Sequence, residues 1–218
     1  MPYWMHLLFS FSIGIAAVLA AIRFPTLSSG FLPFVLLLWT GFLNELGSFL
    51  LIRNGYSNAV LYNLYSLTEA FLVSWQFARW GLFGNRRLFY HGLLVCYFVA
   101  WCFENLIWRT PFAFNSYFSI GYSFVVVMMA IATISEMLFF ENYRLWRHAK
   151  FLICMAFVVF YSYALFVELF WLVGWGYSQA FRVRIYEILS CVNFFTNLIF
   201  ILAVLWAPMK LRSIMQWS

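Results

Sequence analysis

The stretch FLICMAFVVFYSYALFVELFWLVG, residues Phe151–Gly174, decides the fold class of this 218-residue chain. Its 24 residues include a single charged side chain, Glu168. A helix needs about 20 predominantly apolar residues to cross the hydrocarbon core of a bilayer. The segment therefore predicts a transmembrane helix.

Six further segments of the chain have the same character, and short loops with Pro, Gly or Asn separate them. The chain is 66% hydrophobic and 9% charged, whereas soluble domains are about 45–50% apolar and about 25% charged. This composition excludes a soluble enzyme, a nucleic-acid-binding domain and a disordered regulator. We predict an all-α membrane protein with one seven-helix transmembrane domain over residues 1–218. The other spans are Trp4–Ile22, Phe31–Ile52, Asn58–Arg79, Leu88–Trp108, Asn115–Phe140 and Arg184–Trp206.

The distribution of basic residues predicts the orientation of the spans. Nine Lys and Arg residues follow spans one, three, five and seven, and four lie on the other side. The richer side is expected to be cytoplasmic, which places the N-terminus outside and the C-terminus inside, in a bacterial inner (plasma) membrane. Residues 1–5 carry no basic n-region, so the first span is expected to be an uncleaved helix and not a signal peptide.

A short pattern occurs twice in the same direction, on spans two–three and on spans six–seven. It runs Glu-Leu, then Gly-Tyr-Ser, then Asn-aromatic with Ser or Thr. The repetition suggests a parallel 3+1+3 arrangement in which span four is the linker, although such a short aromatic-rich match also arises by chance. The first copy is Glu45-Leu46, Gly55–Ser57 and Asn63–Ser66, and the second is Glu168-Leu169, Gly176–Ser178 and Asn193–Thr196.

This topology resembles that of the microbial rhodopsins, the SWEET-type sugar carriers and the PnuC-type vitamin carriers. Rhodopsin activity is not expected, because retinal needs a lysine in the last helix and Lys150 and Lys210 lie outside the spans. Trp75-Gln76 is similar to a Trp-Gln signature of the PnuC-type proteins. The segment Asn63–Glu69 resembles small uncharacterised bacterial seven-helix membrane proteins, which implies no particular activity.

Six of the seven glutamates lie within predicted spans, one on each of spans two to seven. A charged side chain at the bilayer centre costs about 2.5–3.5 kcal/mol on insertion scales, so such residues usually face the bundle interior or a wet cavity. Glu69 falls at the midplane, and Glu45, Glu104 and Glu168 fall roughly 5–9 Å toward the outside. Glu187 lies near the outer edge, and Glu136 alone lies on the cytoplasmic side.

Other polar and aromatic side chains share helical faces with these glutamates. We therefore predict a polar cavity that opens outward, with Glu69 at its floor, neutral or paired with a ligand and without an arginine partner. Burial favours the uncharged form of an unpaired carboxyl group. The candidate ligand-binding residues are Asn44, Glu45, Tyr62, Asn63, Ser66, Glu69, Glu104, Tyr161, Glu168, Glu187, Asn193 and Asn197.

A structural role is the alternative for several of these residues. Arg53, Arg109, Arg182 and Arg184 also lie on the outer side and are able to form ion pairs with Glu45, Glu104, Glu168 and Glu187. Asn and Ser within spans also act as interhelical hydrogen-bonding groups. Glu136 is expected to pair with Arg144 or Arg147.

No recognisable catalytic, metal or cofactor motif accompanies these glutamates. His6, His91 and His148 lie at different depths, and the chain contains no Asp. The four cysteines are expected to be small buried hydrophobic residues without disulfides. The leading hypothesis is a membrane carrier or solute receptor for a small polar or cationic molecule, without a cofactor or nucleic acid. The alternative is a non-catalytic subunit or sensor that acts through a membrane or cytoplasmic partner protein.

Overall fold

In the computed structural model the chain is all-helical, as the sequence predicts. The structure describes residues 3–84, 86–108, 110, 112–114, 116–140, 145–173 and 179–209. These residues contain no strand, only an isolated antiparallel bridge between Leu27 and Met209. The helices are α1 (Tyr3–Phe11), α2 (Ile13–Arg23), α3 (Leu32–Arg53), α4 (Ala59–Arg79), α5 (Arg87–Cys102), α6 (Ser116–Phe140), α7 (Ala149–Val173) and α8 (Gln179–Trp206).

Five helical segments in the described part of the chain are long and apolar enough to cross a membrane. This observation indicates a multi-pass membrane protein. The first predicted span is present as two shorter helices, α1 and α2, which meet at Ser12. The five segments are Ser29–Arg53, Arg87–Trp108, Ser116–Phe139, Ala149–Leu172 and Val183–Trp206.

Helix α4 has 21 residues, long enough for a span, but it is more polar than the others. Its polar side chains Asn63, Ser66, Glu69, Ser74 and Gln76 are all buried within the bundle. A helix with buried polar groups on its length must lie among other helices that can satisfy them. Helix α4 therefore supplies much of the polar interior of the protein.

The helices other than α5 form a closed ring. Helices α1 and α2 pack against α3 and α8, α3 packs against α4, α4 against α6, α6 against α7, and α7 against α8. Helix α5 lies outside this ring against α4 and α6, and Tyr97 is its one buried residue. The segment Phe103–Trp108, which extends α5, is wound as a π-helix.

Consecutive helices alternate in direction, except that α2 continues α1, so the bundle has two ends. One end, here called the cavity end, contains the C-terminus of α3 at Arg53 and the start of α4 at Ala59. The other, here called the basic end, contains Arg23, Arg79 and Lys150, at the ends of α2, α4 and the start of α7.

Polar contacts join the elements at the basic end. The Arg23 guanidinium donates to the carbonyl oxygens of Val204 and Leu205 in the last turn of α8. The amide of Ser28 donates to the Pro208 carbonyl over 3.0 Å. Because cations near a helix C-terminus stabilise its unpaired carbonyl groups, Arg23 caps α8 from a neighbouring helix.

All four cysteines are free, but the expectation that they are buried is wrong for three of them. Only Cys154 is buried, Cys102 and Cys191 are partly buried, and Cys96 is exposed. The reason for Cys96 is the peripheral position of α5, since most of its side chains face away from the ring.

Candidate functional site

A cavity of about 630 Å³ lies inside the ring of helices. Helices α1, α3, α4, α6, α7 and α8 all contribute side chains to its wall. Arg53 and Asn58 line it at the cavity end, and Glu69 and Phe200 line its deepest part. The cavity therefore extends from the cavity end to the middle of the bundle.

The carboxyl group of Glu69 is the polar centre of the deep part. Its side chain is 9% exposed. Tyr122 on α6 donates a hydrogen bond of 2.6 Å to Oε2, and Tyr65, one turn earlier on α4, donates one of 3.1 Å to Oε1. The hydroxyl of Tyr161 on α7 also faces this carboxyl group. Within the described residues no arginine or lysine contacts Glu69.

Aromatic rings close the cavity toward the basic end. The rings of Phe157 and Phe200 are 5.8 Å apart between centroids, Phe34 and Phe200 are 5.3 Å apart, and Phe77 and Phe157 are 6.1 Å apart. All four side chains are buried. We call Phe34, Phe77, Phe157 and Phe200 the aromatic plug. The plug separates the Glu69 carboxyl from the basic end.

A polar clamp lies beside this plug. The side chain of Gln76 accepts a hydrogen bond of 2.8 Å from the amide of Phe34 and donates one of 2.7 Å to the carbonyl of Gly30. Gln76 thereby satisfies an amide in the first turn of α3, where helical amides lack an intrahelical partner. The clamp holds the start of α3 against α4, so Gln76 has a structural role.

Two more carboxyl groups line the cavity, those of Glu45 on α3 and Glu168 on α7. Ser10 lies beside Glu45, and Ser116 lies beside Glu168. Neither glutamate pairs with a basic side chain of the described part of the protein. The cavity wall thus carries three glutamates and one arginine, Arg53, which makes it acidic.

Two buried polar atoms in the cavity wall have no hydrogen-bond partner among the described residues. They are Oδ1 of Asn44 and Oγ of Ser119, and the Ser119 hydroxyl lies beside that of Tyr62 without a well-aligned hydrogen bond. The two side chains are 9% and 3% exposed. A buried polar group without a partner costs about 1–3 kcal/mol, and these two oxygens are open to hydrogen bonding from within the cavity.

Eight of the predicted ligand-binding residues line this one cavity. The structure brings them together from four helices. They are Asn44 and Glu45 on α3, Tyr62 and Glu69 on α4, Tyr161 and Glu168 on α7, and Asn193 and Asn197 on α8. Asn197 also donates a hydrogen bond of 2.8 Å to the hydroxyl of Ser12, which joins α8 to the break between α1 and α2.

Two predicted residues on α4, Asn63 and Ser66, face away from the cavity. The Asn63 side chain donates a hydrogen bond of 2.7 Å to the main-chain carbonyl of Ala113. The main-chain carbonyl of Asn63 accepts one of 2.7 Å from the indole N–H of Trp101. The Ser66 hydroxyl donates to that same carbonyl over 2.8 Å. The two Asn63 bonds attach α4 to α5 and to the segment before α6, whereas the Ser66 bond lies within α4.

Glu104 also lies away from the cavity, and it is 3% exposed. Its two carboxylate oxygens accept hydrogen bonds from the amides of Tyr117, over 3.1 Å, and Phe118, over 2.6 Å. These amides are in the first turn of α6, where an acceptor and a negative charge are both favourable. Glu104 therefore caps α6, which is the structural role left open by the sequence.

The remaining two intramembrane glutamates do not line the cavity. Glu187 is partly buried. Glu136 is exposed near the end of α6. Of its two expected partners, Arg147 is exposed in the turn before α7, and Arg144 lies outside the described residues. Arg109 and the side chain of Arg182, expected as partners of the outer glutamates, lie outside them too.

The sequence reasoning missed the contribution of α6 and of Tyr65. Ser119, Tyr122 and Ser123 line the cavity from one face of α6, and Tyr65 lines it beside Glu69. The spacing of Ser119, Tyr122 and Ser123 at i, i+3 and i+4 marks a polar face on an otherwise apolar helix. Tyr65 precedes Glu69 by four residues, the spacing at which helical side chains meet.

Comparison with models of known protein families, with curated protein sequences and with solved structures finds no match to this chain. The chemistry of the cavity is therefore the basis for assigning a function. In the described residues no group of three His, Cys, Asp or Glu side chains is placed to hold a metal ion. The cavity offers carboxyl groups, tyrosine hydroxyls, amide oxygens and aromatic faces.

Proposed function

We propose that this chain is a multi-pass membrane protein that binds a small organic cation in the cavity, as a carrier or a solute receptor. One observation carries the proposal. Three carboxyl groups, those of Glu45, Glu69 and Glu168, line a cavity whose described wall supplies only one cationic side chain. A buried carboxylate without a partner is costly, and a bound cation supplies that partner.

The other walls of the cavity suit the same class of ligand. Tyrosine and phenylalanine faces attract a desolvated cation through their quadrupoles, and Tyr62, Tyr65, Tyr122, Tyr161 and Phe160 all line the cavity. The volume of about 630 Å³ lies within the range of small-molecule sites, about 300–1,000 Å³. A carboxyl group in the middle of the bundle, such as Glu69, is also suited to carry a proton.

We also propose that the cavity end faces outward, with the N-terminus outside and the C-terminus in the cytoplasm of a bacterial cell. Nine basic residues follow the odd-numbered spans and four follow the even-numbered ones, and the richer side is retained in the cytoplasm. In a cysteine-free background, Ser57→Cys should react with an impermeant thiol reagent on intact cells. A cysteine at Leu82, in the turn after α4, should not react, and the reverse pattern would refute this orientation.

The contacts between helices support the 3+1+3 arrangement as part of this proposal. Helices α2, α3 and α4 pack consecutively, as do α6, α7 and α8, and the two sets meet through α4 with α6 and through α8 with α2. If α2, α3 and α4 are exchanged with α6, α7 and α8 in that order, the same pairs of helices are in contact. Glu45 and Glu168, the matching positions of the two copies of the short repeat, both line the cavity.

The experiment is a thermal-unfolding screen of the purified protein in detergent. The panel contains amines, quaternary ammonium compounds and cationic heterocycles, each with a neutral and an anionic analogue of similar size. Ligands that bind the native state raise the midpoint of unfolding, so we expect stabilisation by members of the cationic set only. Stabilisation by anions or neutral compounds alone, or by no compound, would contradict the proposal.

Reconstitution into liposomes separates a carrier from a receptor. Uptake of a labelled ligand by the protein alone identifies a carrier. Binding without uptake identifies a receptor or a subunit that works with another protein, and a co-purifying companion in mild detergent would then be expected.

A further inference from the structure

Each of two tyrosines lies near two of the three cavity carboxyl groups. Tyr65 lies within electrostatic reach of both Glu45 and Glu69, and Tyr62 lies within reach of both Glu69 and Glu168. All five residues line the same cavity. The acidic groups are thus distributed along one continuous path and are not confined to a single point.

The carboxyl groups differ in depth. Counted along α4 from Ala59, the first residue of that helix, Glu69 lies about 15 Å from the cavity end at a rise of about 1.5 Å per residue. Counted back along α7 from Val173, the last residue of that helix, Glu168 lies about 8 Å from the same end. The two carboxyl groups are therefore separated by about 7 Å in depth.

The deep part of the cavity contains a second hydrogen-bond acceptor, which is an amide oxygen and not a carboxyl group. Oδ1 of Asn44 has no hydrogen-bond partner among the described residues, and its side chain, 9% exposed, lines the cavity. Along α3, Asn44 precedes Arg53, the last residue of that helix, by nine residues, which places it about 13 Å from the cavity end. An ammonium group, with three N–H donors, is able to use this oxygen together with Glu69.

We propose that the organic cation is a short aliphatic diamine, with one ammonium group at Glu69 and Asn44 and the other at Glu168. The methylene chain between them lies along the ring of Tyr62. A second charge on the ligand offsets a second carboxylate, which a monoamine leaves unpaired in the wall. This inference rests on the proposed function and specifies its ligand.

Binding of diamines and monoamines of matched chain length tests the inference. The probes are 1,4-diaminobutane and 1,5-diaminopentane, compared with butylamine and pentylamine, each titrated calorimetrically into the purified full-length protein. We expect the diamines to bind the wild-type protein at least tenfold more tightly than the monoamines. In Glu168→Gln this preference should fall to about twofold or less, because the diamine affinity falls far more than the monoamine affinity.

Equal affinity for diamines and monoamines in the wild type would overturn the inference, as would an undiminished preference in Glu168→Gln. The matched control is Glu136→Gln, since Glu136 is exposed and outside the cavity. Binding of another organic cation, with no binding of any aliphatic amine, would overturn this inference and leave the proposed function standing. Absence of binding by every cation in the thermal screen would overturn both.

Discussion

Tyr122 and Glu69 are 53 positions apart in the chain and are joined by a hydrogen bond of 2.6 Å between the tyrosine hydroxyl and Oε2 of the carboxyl group. This bond connects α6 to α4 across the floor of the cavity. A short O–H···O contact of this kind is typical of a carboxylate acceptor. It fixes the direction of a carboxyl group that the proposed ligand has to reach.

Replacement of Tyr122 by Phe should weaken binding of the ligand severalfold and lower the free energy of unfolding by about 1 kcal/mol, because one net hydrogen bond is lost. Tyr97→Phe is the matched control. The buried hydroxyl of Tyr97 lies beside that of Ser74 without a well-aligned hydrogen bond, so its removal should cost much less. Denaturation and binding measurements on both variants check the prediction, and equal effects would refute it.

Gln76→Leu should destabilise the protein by about 1–3 kcal/mol, because it leaves the amide of Phe34 and the carbonyl of Gly30 without a partner. Ser74→Ala, on the same helix, removes a buried hydroxyl that lies beside that of Tyr97 without a well-aligned hydrogen bond. That control should cost much less. Thermal unfolding compares the two, and a Gln76→Leu variant as stable as Ser74→Ala would show that the clamp contributes nothing.

Glu104→Gln should lower stability and leave ligand affinity unchanged. The amide side chain retains one oxygen, so it can accept from only one of the two amides that Glu104 now caps. Loss of a helix cap costs about 0.5–2 kcal/mol. Unfolding and ligand titration are measured on the same preparation. A loss of affinity without a loss of stability would show that Glu104 belongs to the binding site, as the sequence predicts.

Gly41→Ala should disturb the cavity floor. A Cβ atom at Gly41 would lie 2.7 Å from Cδ1 of Ile13 and 3.2 Å from the hydroxyl of Tyr65. We expect displacement of the Tyr65 hydroxyl and reduced ligand affinity. Gly121→Ala on α6 is the control, because a Cβ atom there meets nothing within 4 Å, and an alanine in a helix interior is favoured over glycine by about 0.5–1 kcal/mol. Similar affinities in both variants would contradict the prediction.

The helices were predictable because each depends on a local property, the length and hydrophobicity of one segment. The positions of Glu45, Glu69 and Glu168 in the cavity wall were also predictable, since a glutamate within a span usually faces the bundle interior or a wet cavity. The break between α1 and α2 at Ser12 was not predictable from the sequence. The Ser12 hydroxyl forms hydrogen bonds with Phe9 and with Asn197, which is 185 positions away. That partner becomes visible only when α8 packs against α1.

The role of Glu104 was unpredictable for a similar reason. On a regular helix it shares a face with Tyr97 and Trp101 and would point as they do. The structure shows a π-helix from Phe103 to Trp108, and both Tyr97 and Glu104 contact the start of α6. Local spacing on one helix does not contain this information.

The most direct test of the central claim is the affinity of one organic cation, chosen from the thermal screen, for the wild type and for Glu69→Gln. Calorimetric titration at neutral pH measures both, with Glu136→Gln as a control for loss of charge elsewhere. We predict at least a tenfold loss of affinity in Glu69→Gln and no change in Glu136→Gln. Equal affinity in all three proteins would show that the Glu69 carboxyl group is not the binding centre of the cavity.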